Sequence, residues 1–203
     1  MNKLKSIKSI LVTNTRSYSD STSIAADLAG LIAQSGKRVL LVDADLHQPI
    51  IHQIFNLPNR VGLSDVLSGE RSPSEIMHYI KETRIQVITS GKTKITPVES
   101  VHSTQMIGFL QGQKDRFDKI IIHGPPFFYA ETATIAALVD GVILMIHPGY
   151  AKSETSKAII EKFQRSGATI IGIVMRNQPK HTLNQSAFID RLLTYDKGMR
   201  IDS

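Results

Sequence analysis

Ser9-Ile-Leu-Val-Thr13 is followed by Asn-Thr-Arg-Ser-Tyr-Ser-Asp-Ser-Thr22 and then by Ser23-Ile-Ala-Ala-Asp-Leu-Ala-Gly-Leu-Ile-Ala-Gln34. The chain passes from an apolar strand pattern through a short polar loop into an amphipathic helix pattern. A strand, a short loop and a helix N-terminus together form the setting of a nucleotide-binding loop. Yet Thr13–Thr22 holds no glycine and no lysine. The surroundings indicate nucleotide binding, and the loop argues against it.

Outward from this stretch, strand and helix patterns alternate. Strands are expected at Ser9–Asn14, Arg38–Asp43, Ile85–Thr89, Lys119–His123, Gly141–Ile146 and Thr169–Met175. They are β-branched and apolar almost throughout, as parallel strands covered on both faces are. Helix patterns cover Thr22–Ser35, Ser74–Lys81, Ser103–Gln113, Thr132–Val139 and Ser153–Ser166. This alternation predicts an α/β fold with a doubly wound, mostly parallel sheet. The 203 residues, 41% of them hydrophobic, suit a single domain over 1–203, with a C-terminal helix and loose tail over 184–203.

Composition excludes several classes. No apolar run approaches the roughly 20 residues of a membrane helix, and Met1–Ile10 lacks the apolar centre of a signal peptide. Zero cysteines exclude a disulfide framework and thiolate metal sites. A cytoplasmic location is expected, with any membrane association made through a partner. The net charge is +6, with Lys3, Lys5 and Lys8 near one end and Arg191, Lys197 and Arg200 near the other. These read as solvated termini or as a surface for anionic lipid or an acidic partner. No aromatic-interleaved basic stretch points to nucleic acid.

In such sheets the ligand crevice lies beyond the carboxyl ends of the strands. Asn14–Ser21, Asp43–Pro49, His123–Phe127 and Arg176–Gln178 should converge there. Val39-Leu-Leu-Val-Asp-Ala-Asp-Leu-His-Gln-Pro49 ends a buried strand with two carboxylates, Asp43 and Asp45. Their spacing puts both on one side of an extended chain. Such a pair can hold a hydrated magnesium ion or take a proton from a hydroxyl. Equally, each carboxylate can bond local amides in a turn.

Val39–Pro49 resembles the second acidic motif of the bacterial tyrosine kinases (BY-kinases) of capsule and exopolysaccharide synthesis, with His47 and Gln48 in place of two arginines. The likeness continues through His52, Phe55, Asn59, Gly62-Leu-Ser64, Leu67 and Gly69. It resumes at Ile88-Thr-Ser-Gly91, Pro97-Val-Glu99, Ser103, Met106, Phe117–Ile122, Pro125-Pro126 and Asp140-Gly-Val142. The spacing of Asp43–Gly69 and Pro97–Met106 separates this family from the Min-type and Par-type ATPases. The resemblance implies a P-loop NTPase-like kinase domain of the deviant Walker A class. It further implies ATP and magnesium, autophosphorylation of a tyrosine-rich tail, and a membrane partner controlling polysaccharide chain length and export.

Position by position, the nucleotide elements depart from the family. A working loop would have glycines near Tyr18 and at Asp20, a lysine at Ser21 and a hydroxyl at Thr22; only Thr22 matches. Asp20 puts a carboxylate where phosphate would lie. Two like charges at 4 Å cost about 4 kcal/mol at an effective dielectric near 20. Asp20 instead suits a helix N-cap, supplying its own anion to the helix end. The counter-reading turns Arg16 inward to replace the lysine. His123 stands where the family has a magnesium-organising aspartate, and imidazole is a poor ligand for that hard cation. Arg176 stands where the family has an adenine-reading asparagine, with Asn177 one residue on. The tail carries only Tyr195, and Met1–Ser9 is shorter than the family's ring-forming segment, so neither autophosphorylation nor ring assembly is expected.

The sequence therefore predicts a catalytically degenerate BY-kinase, an adaptor with no catalytic residue, metal or cofactor. Its vestigial nucleotide positions are Arg16, Asp20, Ser21, Thr22, Asp43, Asp45, His123 and Arg176. Its expected partner is an export membrane protein or a paralogous active kinase, and a homo-oligomer is left open. One alternative is an active ATP-dependent tyrosine kinase with a reorganised site, in which Asp43 is the base and Thr22, Asp43 and Asp45 hold magnesium. Another is a Min/Par-type positioning factor.

Overall fold

A computed structural model describes residues 7–15, 20–92, 104–146 and 154–175, with residues 20, 21, 154–157 and 162 described by backbone alone. The expectations placed on Arg16, Arg176, Pro97–Glu99 and 184–203 lie outside the described residues. Seven strands form one sheet: β1 (Ser9–Asn14), β2 (Val39–Asp43), β3 (His78–Ile80), β4 (Ile85–Ile88), β5 (Lys119–His123), β6 (Gly141–Ile146) and β7 (Ile170–Met175). Their order is β3-β4-β2-β5-β1-β6-β7. All neighbours pair in parallel except β3 and β4. The helices are α1 (Asp20–Gln34), α2 (Ile51–Ile54), α3 (Leu63–Leu67), α4 (Thr104–Lys114), α5 (Ala130–Leu138) and α6 (Glu154–Arg165).

Strand alternation divides the core into two layers. Leu11, Leu40, Val42, Ile120, Ile122, Val142 and Leu144 face α3, α4, α5 and α6. Ile10, Val12, Val39, Leu41, Ile85, Val87 and Ile121 face α1 and α2. On α1 the buried contacts are Ala25, Ala26, Ala29 and Ala33, small side chains that let the helix lie close to the sheet. Gly36 ends that helix with φ +79, and its N–H bonds Ala33 O at 3.0 Å.

One expected helix is corrected. Ser74–Lys81 is not helical: Pro73–Glu75 is a single 3₁₀ turn, and His78–Ile80 is the antiparallel edge strand β3. Ile76, Met77 and Ile80 carry helix-like spacing, but Arg84, at φ +57, turns the chain back so that β3 pairs with β4. Tertiary pairing overrides the local pattern.

At the amino edge of the sheet, Asp140 joins β1 to β6. Its Oδ2 accepts from Lys8 N (2.9 Å), Ser9 N (2.8 Å) and Ser9 Oγ (2.9 Å), and its Oδ1 from Lys114 Nζ (2.7 Å). Burial alone would raise the Asp140 pKa, but these donors outweigh it and bring the carboxyl to about 2. A depressed folded pKa stabilises the fold above the ordinary carboxylate range, and that contribution fades as pH falls towards 2. Asp140→Asn should therefore cost about 1–2 kcal/mol at pH 7. Urea unfolding at pH 7 and pH 3 checks this, with the gap to wild type narrowing at the lower pH.

Candidate functional site

The carboxyl ends of β1, β2 and β5 bring together Thr22, Asp43 and His123. Thr22 is the third residue of α1, Asp43 ends β2 and His123 ends β5. Asp43 and His123 are register partners across the β2–β5 pair. The backbone around them is held tightly: Ala44 N bonds His123 O at 2.8 Å, and Gly124 N bonds Val12 O at 3.0 Å. Gly124 is pressed on Leu11, whose Cδ1 would lie 2.5 Å from an added Cβ. Thr13 Oγ1 and Thr132 Oγ1 both bond Pro125 O, fixing the turn beyond β5.

His123 links the other two side chains. Its Nδ1 pairs with Asp43 Oδ1 at 3.0 Å, and its Nε2 pairs with Thr22 Oγ1 at 3.0 Å. All three groups are buried. The remaining capacity of Asp43 goes to backbone: Oδ2 accepts from Ile50 N and Ile51 N, each at 3.0 Å, and Oδ1 from Asp45 N at 3.3 Å. The carboxylate thus closes the turn that leads into α2.

Asp45 behaves differently from its neighbour. Its Oδ1 accepts from His47 N (3.1 Å) and Gln48 N (3.0 Å). Burial raises its pKa, against the turn amides and the nearby His123, with the Asp43 charge adding to the rise. Both carboxylates are engaged by local amides, the turn arrangement open to this spacing. Among the described residues no group of three His, Asp or Glu side chains is arranged to hold a metal ion. Asp20 and Ser21 are the first two residues of α1, and only their backbone is described.

A second cluster escaped sequence reasoning. His47 Nε2 bonds Glu131 Oε1, and the His47 ring stacks on Tyr129 with centroids 4.0 Å apart. Phe128 lies against Tyr129 at 4.7 Å. The Glu131 side chain is only 2% exposed, so its partner compensates a buried carboxylate. The pair ties the turn after β2 to the first turn of α5. A lone Glu in the apolar run Tyr129–Leu138 was the available signal.

No family model matches the chain. The tyrosine-protein kinase YwqD of Bacillus subtilis is 30% identical over 175 residues, covering 86% of this chain and 74% of YwqD. The chain belongs to the bacterial tyrosine-protein kinases. Another BY-kinase, the tyrosine-protein kinase ptk of Acinetobacter johnsonii, is 31% identical over 156 residues. That match covers 76% of this chain but 21% of ptk, so the chain spans about a fifth of that relative's length. The crystal structure of the chimerical protein CapA2B2 superposes with a TM-score of 0.80 at 27% identity, covering 86% of this chain and 78% of that one. The fold is P-loop NTPase-like. No helix among the described residues is long and apolar enough to cross a membrane.

Within a BY-kinase frame, Thr22, Asp43, Asp45 and position 123 are the places the resemblance gives to hydrated magnesium. The side chain at position 123 does not suit that ion. A hard cation prefers oxygen donors, whereas His123 offers nitrogen and uses its two ring nitrogens on Thr22 and Asp43. The hydroxyl and the carboxylate are bridged by an imidazole.

Proposed function

We propose that this chain is a catalytically degenerate BY-kinase, a pseudokinase that acts as an adaptor in capsule or exopolysaccharide assembly and export. The observation that carries this reading is the buried bridge Thr22–His123–Asp43. It joins two of the positions that the resemblance gives to magnesium through a histidine that stands in place of an aspartate. The loop without glycine or lysine supports the same reading, since it lacks the backbone freedom and the cation that cradle phosphates. Asp20 and Ser21, the first two residues of α1, stand where a working loop would have glycine and lysine.

An adaptor of this kind would work through its surface. Its expected partner is a membrane protein governing polysaccharide chain length and export, or an active paralogous kinase. The Thr22 and Asp43 side chains remain in place, so the alternative of an active kinase has a definite test. Phosphotransfer from labelled ATP to a tyrosine-rich acceptor, lost on Asp43→Ala, would establish it.

The deciding experiment is calorimetric titration with ATP. No heat of binding is expected at millimolar nucleotide, with or without magnesium, and micromolar binding would overturn the proposal. The triple variant Asp20→Gly, Ser21→Lys, His123→Asp should then gain measurable, magnesium-dependent ATP binding. It removes the opposing carboxylate, restores the phosphate-binding cation and opens the imidazole bridge. Its failure to bind while folded would place the loss elsewhere in the pocket and overturn the assignment to these three positions.

A further inference from the structure

The amino edge of the sheet collects cations that lie far apart in sequence. Lys8 precedes β1, Lys37 and Arg38 precede β2, Lys81 and Arg84 belong to the turn into β4, and Arg116 precedes β5. All of them are exposed. In the sheet β4, β2, β5 and β1 are consecutive neighbours, so these residues head adjacent strands. At about 4.8 Å between strands the row is about 14 Å wide. That is little more than the roughly 10 Å Debye length, so the charges reinforce one another. The carboxylates at this edge, Glu82, Asp115, Asp118 and Asp140, are fewer. Arg38 engages Asp118 at 3.0 Å, and Lys114 engages Asp140 at 2.7 Å. Lys37, Lys81, Arg84 and Arg116 form no ion pair among the described residues.

We propose that this edge is a docking surface for anionic membrane lipid. Protein interfaces centre on aromatic and apolar anchors and are depleted in lysine. Single-stranded nucleic acid is held by stacking on exposed aromatic rings. None of the exposed large apolar side chains, Leu31, Tyr79, Ile107, Phe128, Ile173 and Met175, belongs to the segments that bear these cations. Duplex readers insert a helix or β-ribbon into a groove, whereas α1, α4 and α6 end at this edge. A row of long cationic side chains without an apolar anchor suits a plane of headgroup phosphates. Each Lys or Arg near an anionic leaflet strengthens such binding about fivefold. Docked this way, the Thr22–His123–Asp43 site at the opposite, carboxyl edge faces away from the membrane. The docking does not depend on whether that site takes a nucleotide.

The test is co-sedimentation of the full chain with phosphatidylcholine vesicles, with or without about 30% phosphatidylglycerol. Binding is expected to the anionic vesicles only, and it should fall at least about tenfold between about 0.1 M and about 0.5 M salt. Lys37→Gln with Arg116→Gln should weaken it about 25-fold. Arg60 and Lys92 are exposed and flank the contact of Asn59 with Gly91 beyond the carboxyl end of β4. Arg60→Gln with Lys92→Gln makes the same change in charge there and should weaken binding less than about threefold. Thermal unfolding of both double variants should match wild type. Equal weakening by the two pairs would reduce the effect to net charge and overturn the proposal. Equal binding to neutral and anionic vesicles, or to neither, would overturn it as well. Tighter binding to duplex DNA than to anionic vesicles at one ionic strength would replace lipid with nucleic acid.

Discussion

Substitution of Asp43 by alanine is expected to lower stability by about 3–5 kcal/mol in the absence of nucleotide and metal. Asp43 is 0% exposed, and its carboxylate accepts from Ile50 N, Ile51 N and Asp45 N and pairs with His123 Nδ1. Truncation strands these groups in a buried turn. Each stranded group costs about 1–3 kcal/mol in lost solvation, tempered by relaxation of the turn. Asp43→Asn keeps the shape and one acceptor oxygen, so its cost should be smaller, about 1–2 kcal/mol. The measurement is urea unfolding of both variants. A carboxylate kept in reserve for a cation would behave in the opposite sense, with alanine neutral or stabilising. A loss below about 1 kcal/mol for Asp43→Ala would sink the structural role assigned here.

Gly62→Ala should be more damaging still, costing above about 4 kcal/mol or preventing folding. The reason is contact rather than conformation, because at φ −174 and ψ −152 Gly62 is extended backbone open to any residue. A Cβ at this position would lie 2.2 Å from Gly91 N, 2.3 Å from Thr89 O and 2.6 Å from Ser90 C. Those are backbone atoms with little freedom to retreat. Leu63 N bonds Thr89 O at 2.8 Å, Ser64 N bonds Ser90 O at 2.9 Å, and Gly91 N bonds Asn59 Oδ1 at 2.8 Å. A methyl group must part α3 from the end of β4 and break these bonds. Gly69→Ala is the control. Gly69 has open space but φ +78, so alanine there should cost only about 1–2 kcal/mol of backbone strain. Comparable losses for the two variants, read by thermal unfolding, would refute the steric account.

The parallel strands were legible because burial on both faces demands β-branched and apolar residues at almost every position. Ser9–Asn14, Lys119–His123 and Gly141–Ile146 agree with the structure residue for residue, and the other three are one residue shorter than expected. β3 was not legible, since its three residues are specified by pairing with β4 and not by their own pattern. The short helices α2 and α3 were missed for a related reason: four or five residues carry too little periodicity to register. At the site, the convergence of Thr22, Asp43 and His123 followed from topology alone. What no local pattern could reveal was that His123 bonds both of the others, because that depends on the height of α1 above the sheet. The pairing of His47 with Glu131 joins residues far apart in the chain, and only the lone buried carboxylate hinted at it.

The strand order also dictates a timetable. β1 lies between β5 and β6, so Ser9 meets its first strand partner, Ile120, only after roughly 110 further residues exist. At about 5–20 residues per second, a ribosome leaves this strand, buried throughout in the fold, unmatched for about 6–20 s. The nascent chain must therefore carry its future centre exposed through most of its synthesis. A need for chaperones during production, and slow refolding from denaturant, follow from where the first strand is placed.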